Sequence, residues 1–520
     1  MKKKLRYKQL NKTVEREISF IPVRYIFAML ITIFEILAII GIVAFLCYVV
    51  PYFYILAYIT EIACVIKIIA SNDNPDYKVP WLLVVLVLPI AGFMLYFIFA
   101  SRKLKKRYVK RLKNIKEKCH IKNDEKEFEE LKANDIKAYS QAKLITNLSK
   151  CSLYKNTYQT YFPSGEKAFE SMIKDLKTAK RFILMEYFII EQGKVWDTML
   201  EVLKEKAKEG VDVRIVFDDI GCMNTLPGNY AKLLNKMGIK ATPFSRLKGQ
   251  ADSEFNNRSH RKITVIDGEI AYTGGINIAD EYANLKPRFG YWKDSAIRLE
   301  GDAVKTLTSL FLFDYGSNIK DELIMPENPY PETQVKDNGY IVPFGDGPKP
   351  LYDRRVSKVL IQNMLSVAND YAYITTPYLI IDNELCQSIE NTALRGVDVR
   401  IIVPSVPDKK IVYSMTKSYY QRLLDAGVKI YEYTPGFIHA KTYLIDGKYA
   451  LVGTVNLDYR SLVHHFENAV WLYNANCIKD IAEDVNEVIS VSKEIEKGAI
   501  KTNIFERFFR ALVRIFAPLL

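Results

Sequence analysis

The chain has 520 residues, 49% hydrophobic and 12% aromatic, with a formal net charge of +13 at pH 7. That length accommodates two or more domains, and the apolar share fits a globular protein with a membrane-embedded part. The charge suits nucleic acid or an anionic membrane equally. The 7 cysteines are odd in number and lack C-x2-C spacing, which argues against a disulfide framework or a zinc site.

Residues 1–20 form a basic leader carrying Lys2, Lys3, Lys4 and Arg6. An apolar module follows over residues 21–100. Its first run, 21–50, is too long for a signal-peptide core and long enough to cross a bilayer. The second run, 52–70, contains Glu61 and Lys67 and is the weaker candidate. The third, 81–100, is apolar throughout and reads as a span. Basic residues flank the module on both sides. The positive-inside rule therefore predicts an even number of crossings, with the catalytic part on the cytoplasmic side of a multi-pass cell-membrane protein. Residues 101–160 are a charged helical connector, suited to anionic headgroups.

From residue 161 the pattern alternates amphipathic and short apolar stretches, as in α/β domains. Helices are predicted over 165–179, 196–210 and 230–237, and strands over 181–190, 211–217 and 270–273. The scheme then repeats, with helices over 358–368, 384–395 and 414–426 and strands over 371–378 and 397–403. Residues 210–215 recur identically as 396–401. Two similar lobes follow, 161–330 and 331–500, joined by a Pro-, Gly- and Asn-rich crossover at 318–350. A tail, 501–520, has amphipathic spacing with Arg507, Arg510 and Arg514 on its polar side, suited to a membrane interface.

Each lobe carries the same short pattern. The first copy is His260, Lys262, Asp267, Gly274-Gly275 and Asn277; the second is His439, Lys441, Asp446, Gly453-Thr454 and Asn456. A separation of 179 residues holds between the two histidines, the two aspartates and the two asparagines. In a strand, residues two apart share a face, so each His and Lys are expected side by side on one. A neutral imidazole can attack phosphorus, and a protonated one can give its proton to the leaving alcohol. Two ammoniums can neutralise the phosphoryl oxygens. One motif supplies half of that set. Asp267 and Asp446, at strand-to-turn positions, complete the motif as supporting groups. The chemistry requires no cofactor, and the pattern has no divalent-metal spacing.

This pattern resembles the phospholipase D superfamily, and the whole chain resembles bacterial cardiolipin synthases. The segment from Asn74-Pro75 to Tyr96, the run Phe289-Gly290-Tyr291-Trp292-Lys293-Asp294, and Asp458-Tyr459-Arg460-Ser461 with Glu467-Asn468 carry the same likeness. The resemblance implies two α-β-α lobes about a pseudo-twofold axis, with one active site between them. It implies transfer of a phosphatidyl group from one phosphatidylglycerol to another in an anionic membrane, giving cardiolipin and glycerol. His260 would be the nucleophile and His439 the acid and then base. Lys262, Lys441, Asn277 and Asn456 would bind phosphate oxygens. Glu467 would orient one imidazole and Glu281 the other. His464 and His465 read as ordinary polar positions. A hydrolase, a transferase with another alcohol, a superfamily nuclease and a non-enzymatic scaffold are the alternatives. The apolar spans and intact motifs argue against the last two.

Overall fold

A computed structural model describes residues 3–9, 12–18, 23–50, 52–88, 90–100, 112–115, 117–119, 121, 125–246, 256–333, 335–349, 351–352, 354–498 and 504–519. The basic cluster at 101–111 lies outside the described residues. Residues Lys3–Gln9 and Lys12–Ile18 of the leader pair as an antiparallel hairpin.

Four helices make the amino-terminal module: α1 Val23–Val49, α2 Phe53–Ala70, α3 Pro75–Val87 and α4 Ala91–Phe99. Among the described residues two are long and apolar enough to cross a bilayer, α1 through Met29–Leu46 and α2 through Phe53–Ala70. The third apolar run is not one span. Leu88 (φ −126°, ψ 77°) leaves the helical region, as a residue before a proline tends to, and Ile90 adopts φ +57°. The chain turns back, and α4 packs closely on α3, where a Cβ at Gly92 would overlap the Val84 carbonyl. With nine residues α4 reaches about 14 Å, half of a hydrocarbon core. Trp81 and Val85 of α3 instead bury against Cys64 and Ile68 of α2.

The described part of the connector packs on the lobes. Its helices Glu125–Asn134 and Ile136–Ser149 bury Phe128, Leu131, Ala138, Ala142 and Ile145 against the second lobe's core. The strand Thr157–Phe162 then enters the first lobe's sheet ahead of residue 161.

Seven strands of the first lobe run side by side as 157–162, 296–301, 270–274, 263–266, 182–187, 212–218 and 240–244. The second lobe repeats this order as 340–346, 467–473, 449–453, 442–445, 371–375, 398–404 and 429–433, then adds an eighth edge strand, 492–494. In each lobe the last three of the seven shared strands are parallel, with helices in the crossovers. The strand Tyr340–Asp346 falls inside the expected crossover. Its Pro343 sits at a sheet edge, the position where proline is tolerated. The sheets meet face to face: Val265, Ala271 and Leu299 share one core with Leu444, Val452 and Leu472. This interface fixes where the duplicated motifs meet.

Each motif lies just ahead of a strand rather than within it. Residues 260–262 precede Ile263–Ile266, and residues 439–441 link Gly436–Ile438 to Thr442–Ile445. The motif aspartates occupy the following turns at positive φ, Asp267 at +54° and Asp446 at +52°. Asp267 accepts three backbone N–H bonds, from Lys180, Arg181 and Phe182. Asp446 accepts the equivalent three, from Asn369, Asp370 and Tyr371. Both carboxylates hold the start of a central strand and are structural. Asp446→Ala leaves three donors without their acceptor and is expected to cost about 1–3 kcal/mol. A lower thermal midpoint in detergent, with unchanged turnover of the folded fraction, is the measurement that checks this.

Candidate active site

The backbone brings each motif to the opposite lobe. His260 donates its N–H to the Phe466 carbonyl at 2.8 Å, and His439 donates to the Lys293 carbonyl at 2.7 Å. Strand Tyr291–Lys293 of the first lobe pairs in parallel with Gly436–Ile438 of the second. Each histidine is therefore registered by the chain of the other half.

The side chains cross in the same way. His260 Nδ1 lies 3.0 Å from both oxygens of Glu467, and His439 Nδ1 lies 2.7 Å from Asp294 Oδ2. A carboxylate accepting at Nδ1 holds the proton there and leaves the Nε2 lone pair free. Glu467 thus takes its expected place. Glu281 does not: its Oε1 accepts from Arg288 at 2.9 Å, and Asp294 is the partner of His439. The run Phe289–Asp294 carries that carboxylate to His439 through the pairing of Tyr291–Lys293 with Gly436–Ile438. The shared register breaks here, because Asp294 lies 34 residues after His260 while Glu467 lies 28 after His439.

Both imidazoles are 7% exposed and ringed by aromatics. Phe188 stands edge-on to His260 at 5.2 Å, and Tyr282, Trp292 and Phe437 surround His439 at 5.5–5.9 Å. Lys262 and Lys441 each donate an N–H to the carbonyl of the histidine two residues before it. Among the described residues neither ammonium has a carboxylate within 4 Å. Burial pushes the Lys262 amine down to about 7 and the Lys441 amine to about 8. Burial and the two lysines hold His260 well below its ordinary value. Burial and Lys441 lower His439 to about 4, with Asp294 offsetting part of the fall. Such a site is short of negative charge and is suited to a phosphodiester anion.

The two carboxylates differ. Burial raises Glu467 to about 7 against the pull of Lys262. Burial also acts on Asp294, but the His439 ring and Lys441 outweigh it and keep this carboxyl below its ordinary value.

Other expected residues divide. Asn277 is bonded at both ends, Oδ1 accepting from the Ile189 amide at 3.0 Å and Nδ2 donating to Tyr282 at 2.7 Å. It is buried to the same degree as Lys262 and Lys441. Asn456 donates to Asp458 at 3.1 Å, and its Oδ1 is buried without a partner. His464 and His465 are not ordinary polar positions; both are buried. His464 meets the Tyr77 hydroxyl of α3. His465 lies 5.5 Å ring to ring from His260, with both nitrogens buried and without a hydrogen bond, and Nδ1 3.8 Å from Glu467 Oε1. Its place two residues before Glu467 was the sequence signal for it. His260, His465 and Glu467 present ligand atoms within 4.8 Å of one another. Glu467 already accepts from His260 with both oxygens and from the Thr454 hydroxyl, so its oxygens are engaged in hydrogen bonds.

A family model described as "Cardiolipin synthase, PLD-like domain" matches residues 172–286 and 361–489, covering both motifs. A second, "Phospholipase D-nuclease N-terminal", matches residues 62–100. A cardiolipin synthase of Halalkalibacterium halodurans is 31% identical over 90% of this chain and 94% of its own length. The chain belongs to the cardiolipin synthase family. Cardiolipin synthase 2 of Bacillus cereus is similar at 32% identity, over 88% of this chain and 89% of its own. The phosphatidylserine synthase of Haemophilus influenzae shares the fold, with a TM-score of 0.55 at 15% identity over 73% of this chain and 98% of that one. As a member of this family the chain is a phosphatidyltransferase with the two-lobed phospholipase D architecture.

Replacing Asp294 with Asn removes the charge that supports His439 and is expected to lower phosphatidyl transfer by about 10²-fold or more, the scale of acid–base catalysis. Glu281→Gln, at a carboxylate whose ion pair is with Arg288 rather than with either imidazole, should lower it by less than about tenfold. A transferase assay on the two variants separates the assignments; the reverse ranking would return the role to Glu281.

Proposed function

We propose that this chain makes cardiolipin from two phosphatidylglycerol molecules through a phosphohistidine intermediate, in an anionic membrane. The observation that carries the reading is the pair of crossed imidazole–carboxylate contacts, which leaves two Nε2 atoms free beside two buried ammoniums. His260 Nε2 attacks the phosphorus of the first lipid and forms the N–P bond. The P–O bond to the headgroup glycerol breaks, and His439 gives that oxygen its proton. The second lipid's headgroup hydroxyl then loses its proton to His439 as its oxygen attacks phosphorus. The N–P bond breaks and cardiolipin leaves.

The unequal carboxylates support this order. An ionised Asp294 beside His439 favours an imidazolium there, whereas Glu467, raised to about 7, gives His260 less of that support. The pair thus has the divergence that one acid and one nucleophile require. A bound phosphodiester adds negative charge between Lys262 and Lys441 and raises both imidazoles from their depressed values. The aromatic walls limit water, which favours an alcohol acceptor. The unpartnered nitrogens of His465 supply a donor and an acceptor beside His260, the set that a headgroup hydroxyl needs.

Because His439 acts protonated in the first step, that step declines as pH rises through its value in the complex. Asp294→Asn lowers that value, so the alkaline limb of its kcat profile is expected at lower pH. An unshifted limb would separate Asp294 from the acid.

The reaction is tested with purified protein in mixed micelles containing phosphatidylglycerol alone, with chelator present and a His439→Ala control. Cardiolipin and glycerol in equal amounts, lost in the control, are expected. Phosphatidic acid in their place would make the chain a hydrolase, and loss of activity on chelation would bring a metal into the mechanism. The basic flanks of the apolar module support a cytoplasmic catalytic part. Cys477 is buried and cannot report sidedness, but Ile324 is exposed. Ile324→Cys should resist an impermeant thiol reagent in intact cells and react after lysis.

A further inference from the structure

A cavity of about 660 Å³ lies away from the catalytic histidines, where α3, the helix Lys410–Asp425 and the tail helix Ile504–Phe516 converge. Lys417, Arg510 and Arg514 bring three positive charges to its wall, against the single carboxylate of Asp76. That carboxylate is turned to the protein, its Oδ2 accepting from the Tyr459 hydroxyl and the Asn383 amide at 3.0 Å. Lys417 has Glu432 at 3.7 Å, and the Arg514 guanidinium lies over the Tyr419 ring at 4.6 Å. The Arg510 Nε is buried with no acceptor. Among the described residues neither arginine has a carboxylate within 4 Å. The cavity therefore offers guanidinium donors without an anion to receive them. Oxygen-rich phosphate is the group that a pair of arginines recognises well.

The surroundings say which phosphate. Val79, Ile515 and Pro518 give the cavity an apolar floor. On the outer side of the tail helix Phe505 and Phe508 are 81% and 71% exposed, an apolar face suited to the acyl boundary of a bilayer. A ligand entering beside that face carries hydrocarbon as well as charge. We propose that this cavity is a second, non-catalytic site for the phosphate of an anionic phospholipid, gripped by Arg510 and Arg514.

The site is tied to the chemistry by a short path. Tyr459, on the cavity wall, opens the turn Arg460–His464 that leads to His465 and Glu467. His464 contacts the Tyr77 hydroxyl of α3 and lies 3.4 Å from the Pro518 carbonyl of the tail. A lipid that seats the tail helix and α3 also seats the segment that carries the partner of His260, so occupancy and turnover are coupled.

The test starts from the His439→Ala chain, which holds lipid without consuming it. Native mass spectrometry in detergent counts dioleoyl phosphatidic acid retained per molecule, beside dioleoyl phosphatidylcholine. With Arg510→Gln and Arg514→Gln added, one fewer phosphatidic acid is expected, with retention at that site at least about tenfold weaker and phosphatidylcholine unchanged. Arg510→Lys with Arg514→Lys should recover most of the binding. An unchanged phosphatidic acid count, or equal loss of both lipids, overturns the proposal. Activation rests on the reading of a lipid transferase: at fixed phosphatidylglycerol in neutral micelles, added phosphatidic acid should raise the turnover of the unmodified chain and not of the double glutamine variant. The lipid count decides the site even if the chain makes no cardiolipin.

Discussion

The structure depends on two buried contacts between an imidazole and a carboxylate, each made across the boundary between the lobes. His260 of the first half rests on Glu467 of the second, and His439 of the second rests on Asp294 of the first. Neither half contains a complete pair. Buried ionisable groups are costly unless their hydrogen bonds are satisfied, so the site exists only where the two sheets close on one another. The backbone makes the same exchange, with each histidine amide bound to a carbonyl of the other half. Catalytic geometry and lobe packing are set by the same contacts.

The duplication is near-symmetric in its sheets and asymmetric at its centre. Thr454 gives its hydroxyl to Glu467, while the first copy has Gly275, where a Cβ would overlap Asp294 Oδ1. The shorter aspartate reaches His439 because the glycine leaves it room. One carboxyl ends above its ordinary value and the other below. A reaction that needs one proton donor and one nucleophile gains from that difference, which two identical halves could not supply.

A third feature lies at the segment from Tyr459 to Glu467. The membrane-side helix α3, through Asp76 and Tyr77, and the tail, through Pro518, both bond to this stretch. Helix α3 and the tail thus brace the residues that hold His260. His465, buried in that stretch beside His260 and Glu467, joins the bracing to the site.

The sequence alone determined the elements whose signal is local or repeated. The common 179-residue spacing identified both motifs and therefore two lobes. Alternating apolar periods placed the helices and parallel strands, as at Gly165–Thr178 and Phe182–Tyr187. Adjacency within a familiar run identified Glu467. Tertiary structure decided what depends on distant pairing. Apolar composition cannot separate a bilayer span from two short helices folded on their neighbours, so residues 81–100 read as a span until Leu88 and Ile90 broke it. The edge strand Tyr340–Asp346 hid behind its proline and glycine because only a partner strand makes such a segment extended. Asp294 could not be chosen over Glu281, since both are acids downstream of one motif and the choice is made by a strand pairing 145 residues apart, between Tyr291–Lys293 and Gly436–Ile438. Spacing records which groups a chain owns; which imidazole each carboxylate meets is fixed by the closure of two lobes.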